Sequence, residues 1–266
     1  MIPSHLYHYT ECETLKLILE SQTIRFTRLD SLNDPLEGIY DENSLVRNFV
    51  LSSSWTSEYR DELPMWRMYT DLKGVRFKMP IDLFSKSVMV LRKLSDTNFQ
   101  LGSDLEKQYE LSLNMIIPFA SDSPVQNHFI DRVYGPTKVE YVPTENDLRK
   151  GVLTSEEGKE EALTVHLNII GQRKIDFWAF EKEYRYRLFF NNGILIQAHR
   201  NVLNGLIDLN LSTKYIDIQF KKQSLEGIEI LLGPKTDEKY KEQFNSLLNK
   251  IGVKSFSINR SKILIN

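Results

Sequence analysis

Residues 184–190 read Tyr-Arg-Tyr-Arg-Leu-Phe-Phe, and this alternation of aromatic and basic side chains has the two-residue period of a β-strand. Taken one position back, it sets Glu183 on the same face as Arg185 and Arg187. Asn191-Asn192-Gly193 ends the run with a turn signal, which makes Ile194 to Gln197 the expected hairpin partner. So strong a strand pattern commits the chain to a sheet, and the remaining segments show what accompanies it.

At the N-terminus, Leu6-Tyr7-His8-Tyr9-Thr10 reads as an aromatic strand. Thr10 and Glu13 have the spacing of a capping box for a helix over Glu11 to Ser21, whose Leu15, Ile18 and Leu19 share one face. Thr23 to Thr27 alternates as a second strand, and the turn formers of Ser31 to Gly38, with Pro35 biasing Asp34 away from helix, predict an ordered loop. Phe49 to Trp55 reads as a strand running into serines. Glu58 to Tyr69 has a helical pattern interrupted by Pro64, and Gly74 to Met79 alternates as a strand.

Further on, Leu105, Tyr109, Leu111, Met115 and Ile116 predict a helix over Leu101 to Ile117, followed by a loop over Ser121 to Pro136. Val139 to Val142 reads as a short strand, and Ser155 to Gln172 as an amphipathic helix with an acidic first turn. Gly227 to Leu232, the Gly233-Pro234 break, Asp237 to Ile251 and Lys254 to Ile258 form an expected β-α-β unit. The fold class is α+β, with mixed or antiparallel sheets flanked by helices. No linker or repeat divides the 266 residues, which fall within the roughly 250 to 300 at which single cores stop growing. The expectation is one domain, with a core over about 1–200 and the β-α-β extension over about 201–266.

Composition narrows the function. Hydrophobic residues at 41% and charged residues at 26% suffice for an ordinary core. A net charge of −2 argues against broad binding to a phosphate backbone, while leaving room for a local basic groove. The single Cys12 cannot form an internal disulfide, and Met1 to His5 lacks the regions of a signal peptide, so the expected location is the cytoplasm. No apolar run approaches the roughly 18 to 20 residues of a membrane span, so no membrane partner is expected.

The five histidines show no paired-ligand spacing, so no metal is expected. Phosphate-cradling glycine patterns and the G-x-S-x-G elbow are missing. What remains is polar material on strands. His8 stands between Tyr7 and Tyr9 and projects from the opposite face; a core or turn histidine with its partners satisfied is the plain alternative. Ser52, Ser53, Ser54 and Thr56 put four hydroxyls around Trp55; the alternative is a helix cap, for which Ser57 is a candidate. Glu181 and Glu183 straddle Lys182 at the head of a strand, so their carboxylates can share a side and raise one another's pKa; the alternative is a ladder of pairs with Arg185, Arg187 and nearby lysines.

In order along nearly the whole chain, several short motifs resemble the bacterial family catalogued as domain of unknown function 2971. They are Leu6 to Thr10 with its helix through Ser21, Thr23 to Arg28, Asn33 to Gly38, Met65 to Tyr69, Gly74-Val75, Phe180 to Arg185, and Ile228 to Pro234. More distantly, His8, the Ser52 to Thr56 cluster and Glu181-Lys182-Glu183 resemble, in that order, the three-part site of ADP-ribosyltransferases. That resemblance implies an ADP-ribosyltransferase-like core that uses NAD as substrate and modifies a protein or nucleic-acid acceptor, as a toxin or anti-phage defence effector. It implies that His8 bonds a ribose hydroxyl, that Tyr9, Thr10, Ser52 and Ser54 brace the site, and that Trp55, Trp66 or Tyr69 stacks on nicotinamide. Glu183 would stabilise the oxocarbenium-like transition state and Glu181 would orient the acceptor. Two other classes stay open. One is a non-catalytic module that senses a nucleotide or protein; the other is a metal-dependent nuclease in which Asp34, Glu37, Glu181 and Glu183 hold Mg²⁺.

Overall fold

A computed structural model of the chain describes residues 2–39, 47–48, 50–84, 89–93, 99–103, 108–110, 129–130, 133–156, 159–166, 169–191, 198–199 and 214–265. It is an α+β structure, a mainly antiparallel sheet flanked by a few helices. In chain order the first elements are β1 (His5–Thr10), α1 (Cys12–Ser21), β2 (Thr23–Arg28), β3 (Val50–Thr56), α2 (Leu63–Thr70) and β4 (Val75–Pro80). Then come β5 (Met89–Lys93), β6 (Phe99–Ser103), β7 (Gln108–Glu110), β8 (Phe129–Ile130), β9 (Tyr134–Lys138), β10 (Glu140–Val142) and α3 (Glu145–Arg149). The rest are β11 (Leu153–Glu156), β12 (Lys159–Val165), β13 (Arg173–Ile175), β14 (Glu183–Asn191), β15 (Ala198–His199), β16 (Tyr215–Gln219), β17 (Ile228–Leu232), α4 (Lys239–Lys250) and β18 (Phe256–Arg260).

The main sheet runs β16-β2-β3-β1-β4-β17-β18, with β14 paired to β3, β8 and β9. The last two strands are parallel and are joined through α4, which is the expected β-α-β unit; β17 pairs antiparallel with β4, so the unit continues the sheet begun at the N-terminus. Period-two alternation divides β3 and β14 cleanly. Leu51 and Trp55 of β3, with Tyr184, Tyr186 and Leu188 of β14, enter the main core, where Leu15 and Leu19 of α1 and Phe244 and Leu248 of α4 cover the sheet. The other face carries Ser52, Ser54 and Thr56 directly opposite Arg187, Arg185 and Glu183. Among the described residues, no helix is long and apolar enough to cross a membrane.

Several expectations are corrected. The end of β6 and all of β7 fall inside the predicted helix over 101–117, whose remaining residues lie outside those described. Leu101 and Tyr109, which a helix would set on one stripe, stand directly opposite each other on these two paired strands. The predicted helix over 155–172 is instead the β11–β12 hairpin, with β15 added; Gly158 in the middle and Thr164-Val165 at the end are strand and turn signals that the amphipathic pattern outweighed. Strands β8 and β9 occupy part of the predicted loop over 121–136. Pro136, without an N–H, is tolerated because β9 is an edge strand on β14.

The strand at residues 184–190 is as expected, but its partners are β3, β8 and β9; the proposed partner Ile194 to Gln197 lies outside the described residues. The capping box does not form either. Thr10 stays in β1 opposite Val75, and Glu11 stands at the N-cap of α1 without a side-chain bond. The helical pattern expected over Glu58 to Tyr69 becomes a helix only from Leu63, with Pro64 in its first turn, where a proline has no intrahelical N–H to lose. Ser57, the expected helix cap, bonds the Lys182 carbonyl instead.

Candidate functional site

The site begins with a split in the sheet. Strand β14 occupies one edge of β3 from Val50 to Thr56, so β2 and β1 share the other edge: β2 at Leu51-Ser52, and β1 only at Thr56, opposite Tyr7. Between these two contacts the His8 imidazole takes over from the main-chain ladder, and its Nδ1 donates to the Ser54 carbonyl at 2.8 Å. A carbonyl only accepts, so the proton sits on Nδ1 and Nε2 keeps a lone pair. The ring lies 5.0 Å from Trp55 and 5.5 Å from Phe77 between centroids. Burial lowers the His8 pKa and the bond to Ser54 only partly opposes this, which favours the neutral ring.

A pocket of about 130 Å³ opens here. Tyr7, Tyr9, Trp55, Met65 and Leu32 supply its rings and apolar wall, while His8, Ser54, Tyr69, Glu181 and Glu183 supply polar atoms. The last five are all candidates from the sequence, and the fold brings them together from β1, β3, α2, the 3₁₀ turn Asp176–Glu181 and β14. Lys182 adopts a left-handed conformation at φ 45° as this turn ends, which sends it outward to Glu58 while Glu181 and Glu183 both turn inward.

Three other candidates stand outside the pocket lining. Thr10 is buried next to it in sequence but not in its wall; Ser52 is buried opposite Arg187; Trp66 is fully buried, packed edge-on against Tyr9 at 4.8 Å, with its indole N–H given to Asp61. Trp66 therefore holds α2 against β1. Trp55 touches the pocket, but most of its ring lies in the core and its N–H bonds the Ser53 hydroxyl.

The floor of the pocket is a buried charge cluster. Arg185 donates through Nε and Nη2 to both oxygens of Glu183, at 2.6 and 2.9 Å, and through Nη1 to Glu37 at 2.7 Å. Its Nη1 also bonds the carbonyl of Gly171, whose φ of +70° belongs to a turn that glycine makes without strain. Lys174 donates to Glu181 at 2.7 Å and lies over the Trp178 ring at 4.5 Å. Parallel pairing of β10 with β13 sets Lys174 beside Tyr141, whose hydroxyl accepts from the Glu183 N–H at 2.9 Å. Tyr69 donates its hydroxyl to Glu181, and Ser54 bonds Glu183.

These surroundings drive the two glutamates apart. Burial raises Glu181, the neighbouring Glu183 raises it further, and Lys174 and Tyr69 recover only part. Burial also pushes Glu183 up, but Arg185 and Lys174 outweigh it and hold the carboxyl down at about 2. Two carboxyl groups with divergent proton affinities, one a fixed anion and one able to exchange a proton, are the materials of acid–base chemistry.

Sequence reasoning missed Lys174, and it weighed Arg185 only as a surface partner and Glu37 only as a metal ligand. For Arg185 the strand alternation was a usable signal; for Lys174 there was none. In the cluster, Lys174 and Arg185 stand where a cation would have to bind, and Asp34 is turned away to cap the Leu36 N–H, so the proposed Mg²⁺ ligand set is not assembled. Among the described residues, no group of three or more His, Cys, Asp or Glu side chains is placed to hold a metal ion. The chain matches no protein-family model, no curated protein and no solved structure.

Proposed function

We propose that this chain is an ADP-ribosyltransferase-like protein of the kind its motifs resemble, binding the nicotinamide–ribose end of NAD in the pocket between β1, β3 and β14. The observation that carries this reading is the convergence of His8, Ser54, Tyr69, Glu181 and Glu183 on one small cleft with an aromatic wall. Its volume is below the few hundred Å³ of a pocket that encloses a whole ligand, which suits one ring and its sugar, with the rest of the dinucleotide lying outside.

Cleavage of the bond to nicotinamide builds positive charge on the ribose. The cluster answers with the Glu183 carboxylate, held ionised by Arg185 and Lys174, and a fixed negative charge already oriented in a low-dielectric site stabilises such a transition state. His8 Nε2 serves as acceptor for a ribose hydroxyl because Nδ1 is committed to Ser54. The acceptor of the ADP-ribosyl group is a protein or nucleic acid.

One observation favours a second reading. Both oxygens of Glu183 are engaged by Arg185, as in a pair that only holds structure, and the pocket would then bind a nucleotide without chemistry. Nicotinamide release from NAD, read by chromatography beside thermal shift with NAD and ADP-ribose, separates the two. The transferase reading expects release that falls on the order of 100-fold in Glu183→Gln. Thermal stabilisation by NAD with no release from the wild type leaves the binding module; neither response removes both.

A further inference from the structure

Glu37, Glu181, Glu183, Lys174 and Arg185 are each exposed by 3% or less, so the cluster's charge is shielded by the protein and not by water. Among these five groups three acids face two bases, and Arg187, two residues along β14, is a further buried guanidinium that feels Arg185 and gives its Nη1 to the Ile170 carbonyl. An uncompensated buried charge is costly, and the cheapest relief is a proton on the carboxylate with the weakest pairing. Glu183 and Glu37 each receive two N–H groups of the Arg185 guanidinium. Glu181 depends on the Tyr69 hydroxyl and on Lys174, whose single ammonium lies 2.7 Å from Glu181, 3.4 Å from Glu183 and 3.5 Å from Glu37.

From this geometry we infer that unequal pairing divides the roles of the two pocket glutamates: Arg185 keeps Glu183 a permanent anion, while Lys174, shared among three carboxylates, is a positioning residue that sets how readily Glu181 exchanges a proton. Its catalytic meaning rests on the transferase reading, but the titration itself does not. The groups facing Glu181 are Lys174 from β13, Tyr69 from α2, and Glu183 from β14, with Tyr141 of β10 close enough to feel its charge. Tyr69 and Tyr141 are both pushed up by burial and so stay protonated. Burial opposes the charge on Lys174, but Glu183, Glu37 and Glu181 together keep it an ammonium. Glu181 is therefore the one member of the set left to titrate.

Carbon-13 NMR of protein labelled at the glutamate carboxyls tests this. One resonance should titrate above the ordinary 4.5 and be missing from Glu181→Gln. In Lys174→Met it should titrate higher still, by about one pH unit or more, because an attractive cation has been removed, while Lys174→Arg stays close to wild type. Lys174→Gln serves with the same expectation if the methionine variant does not fold. A Glu181 resonance unmoved by loss of the Lys174 charge, or a high-titrating carboxyl that survives Glu181→Gln, overturns the inference. The pH profile of nicotinamide release should move with the resonance. If the resonance moves and no nicotinamide is released at any pH, the division of roles stands and the transferase reading falls.

Discussion

The Nδ1 of His8 donates to the main-chain carbonyl of Ser54 at 2.8 Å, one residue beyond the point where the ladder between β1 and β3 ends. A side chain thus holds together a seam that backbone bonds do not close, and the pocket lies along this seam.

Removing the His8 ring should therefore weaken the fold as well as the site. His8→Ala leaves a carbonyl without its donor and strips contacts from Trp55 and Phe77, at an expected cost of about 1–3 kcal/mol in urea denaturation at neutral pH. His8→Asn, which retains a donor, should recover part of it. The pKa of His8 is depressed in the folded chain, so the unfolded chain takes up the proton first as pH falls below 6.5. Wild-type stability should decline from 6.5 downward until the folded pKa is passed, and His8→Asn should lack this component. A stability profile of His8→Asn that matches wild type over that window would exclude the neutral-ring account.

Arg185 is the most consequential member of the cluster, because its guanidinium serves Glu37, Glu183 and the Gly171 carbonyl at once. Arg185→Met abandons two buried carboxylates and should cost about 3–5 kcal/mol. Glu37→Gln removes one carboxylate charge and should cost less. Glu183, held low in the folded chain, contributes stability that is present above 4.5 and lost as pH falls toward about 2; without Arg185 its burial is no longer outweighed, so this acid-range loss should shrink or reverse. Denaturant midpoints of the two variants at pH 7 and across the acid range check both statements.

Asp61 ties the C-terminal segment to the helix that carries Tyr69. Its Oδ2 accepts from the Trp66 indole at 3.2 Å and from the Ser261 hydroxyl, while Ile263 and Ile265 pack against the same cluster as Trp66. Asp61→Ala should destabilise by about 1–3 kcal/mol and speed hydrogen exchange at Met65 to Thr70 of α2, with little change in α4. Equal acceleration in both helices would show that the Asp61 bonds stabilise the whole fold and not α2 in particular.

Sequence alone determined the features that depend on a residue's near neighbours. Alternation along 184–190 settled which side chains share a face, because a strand turns each successive residue over; Glu183, Arg185 and Arg187 on one side, Tyr184, Tyr186 and Leu188 on the other, follow from that rule. The N-terminal strand–helix–strand and the C-terminal β-α-β unit were legible for the same reason. Where an apolar spacing ran across two elements, as at Leu101 and Tyr109, local pattern suggested a helix, and strand pairing decided otherwise.

Tertiary structure alone decided the charge cluster. Arg185 meets Glu37 across 148 positions, and Tyr69 meets Glu181 across 112, so no local pattern relates them. Lys174 sits in a short strand whose sequence carries no sign of a buried amine; parallel pairing with β10 sets it beside Tyr141 and among the carboxylates. Even the His8–Ser54 bond depends on where β1 parts from β3, which is a property of the whole sheet. Proton affinity in this pocket is set by burial and by charges a few ångströms away, and neither exists until the chain has folded.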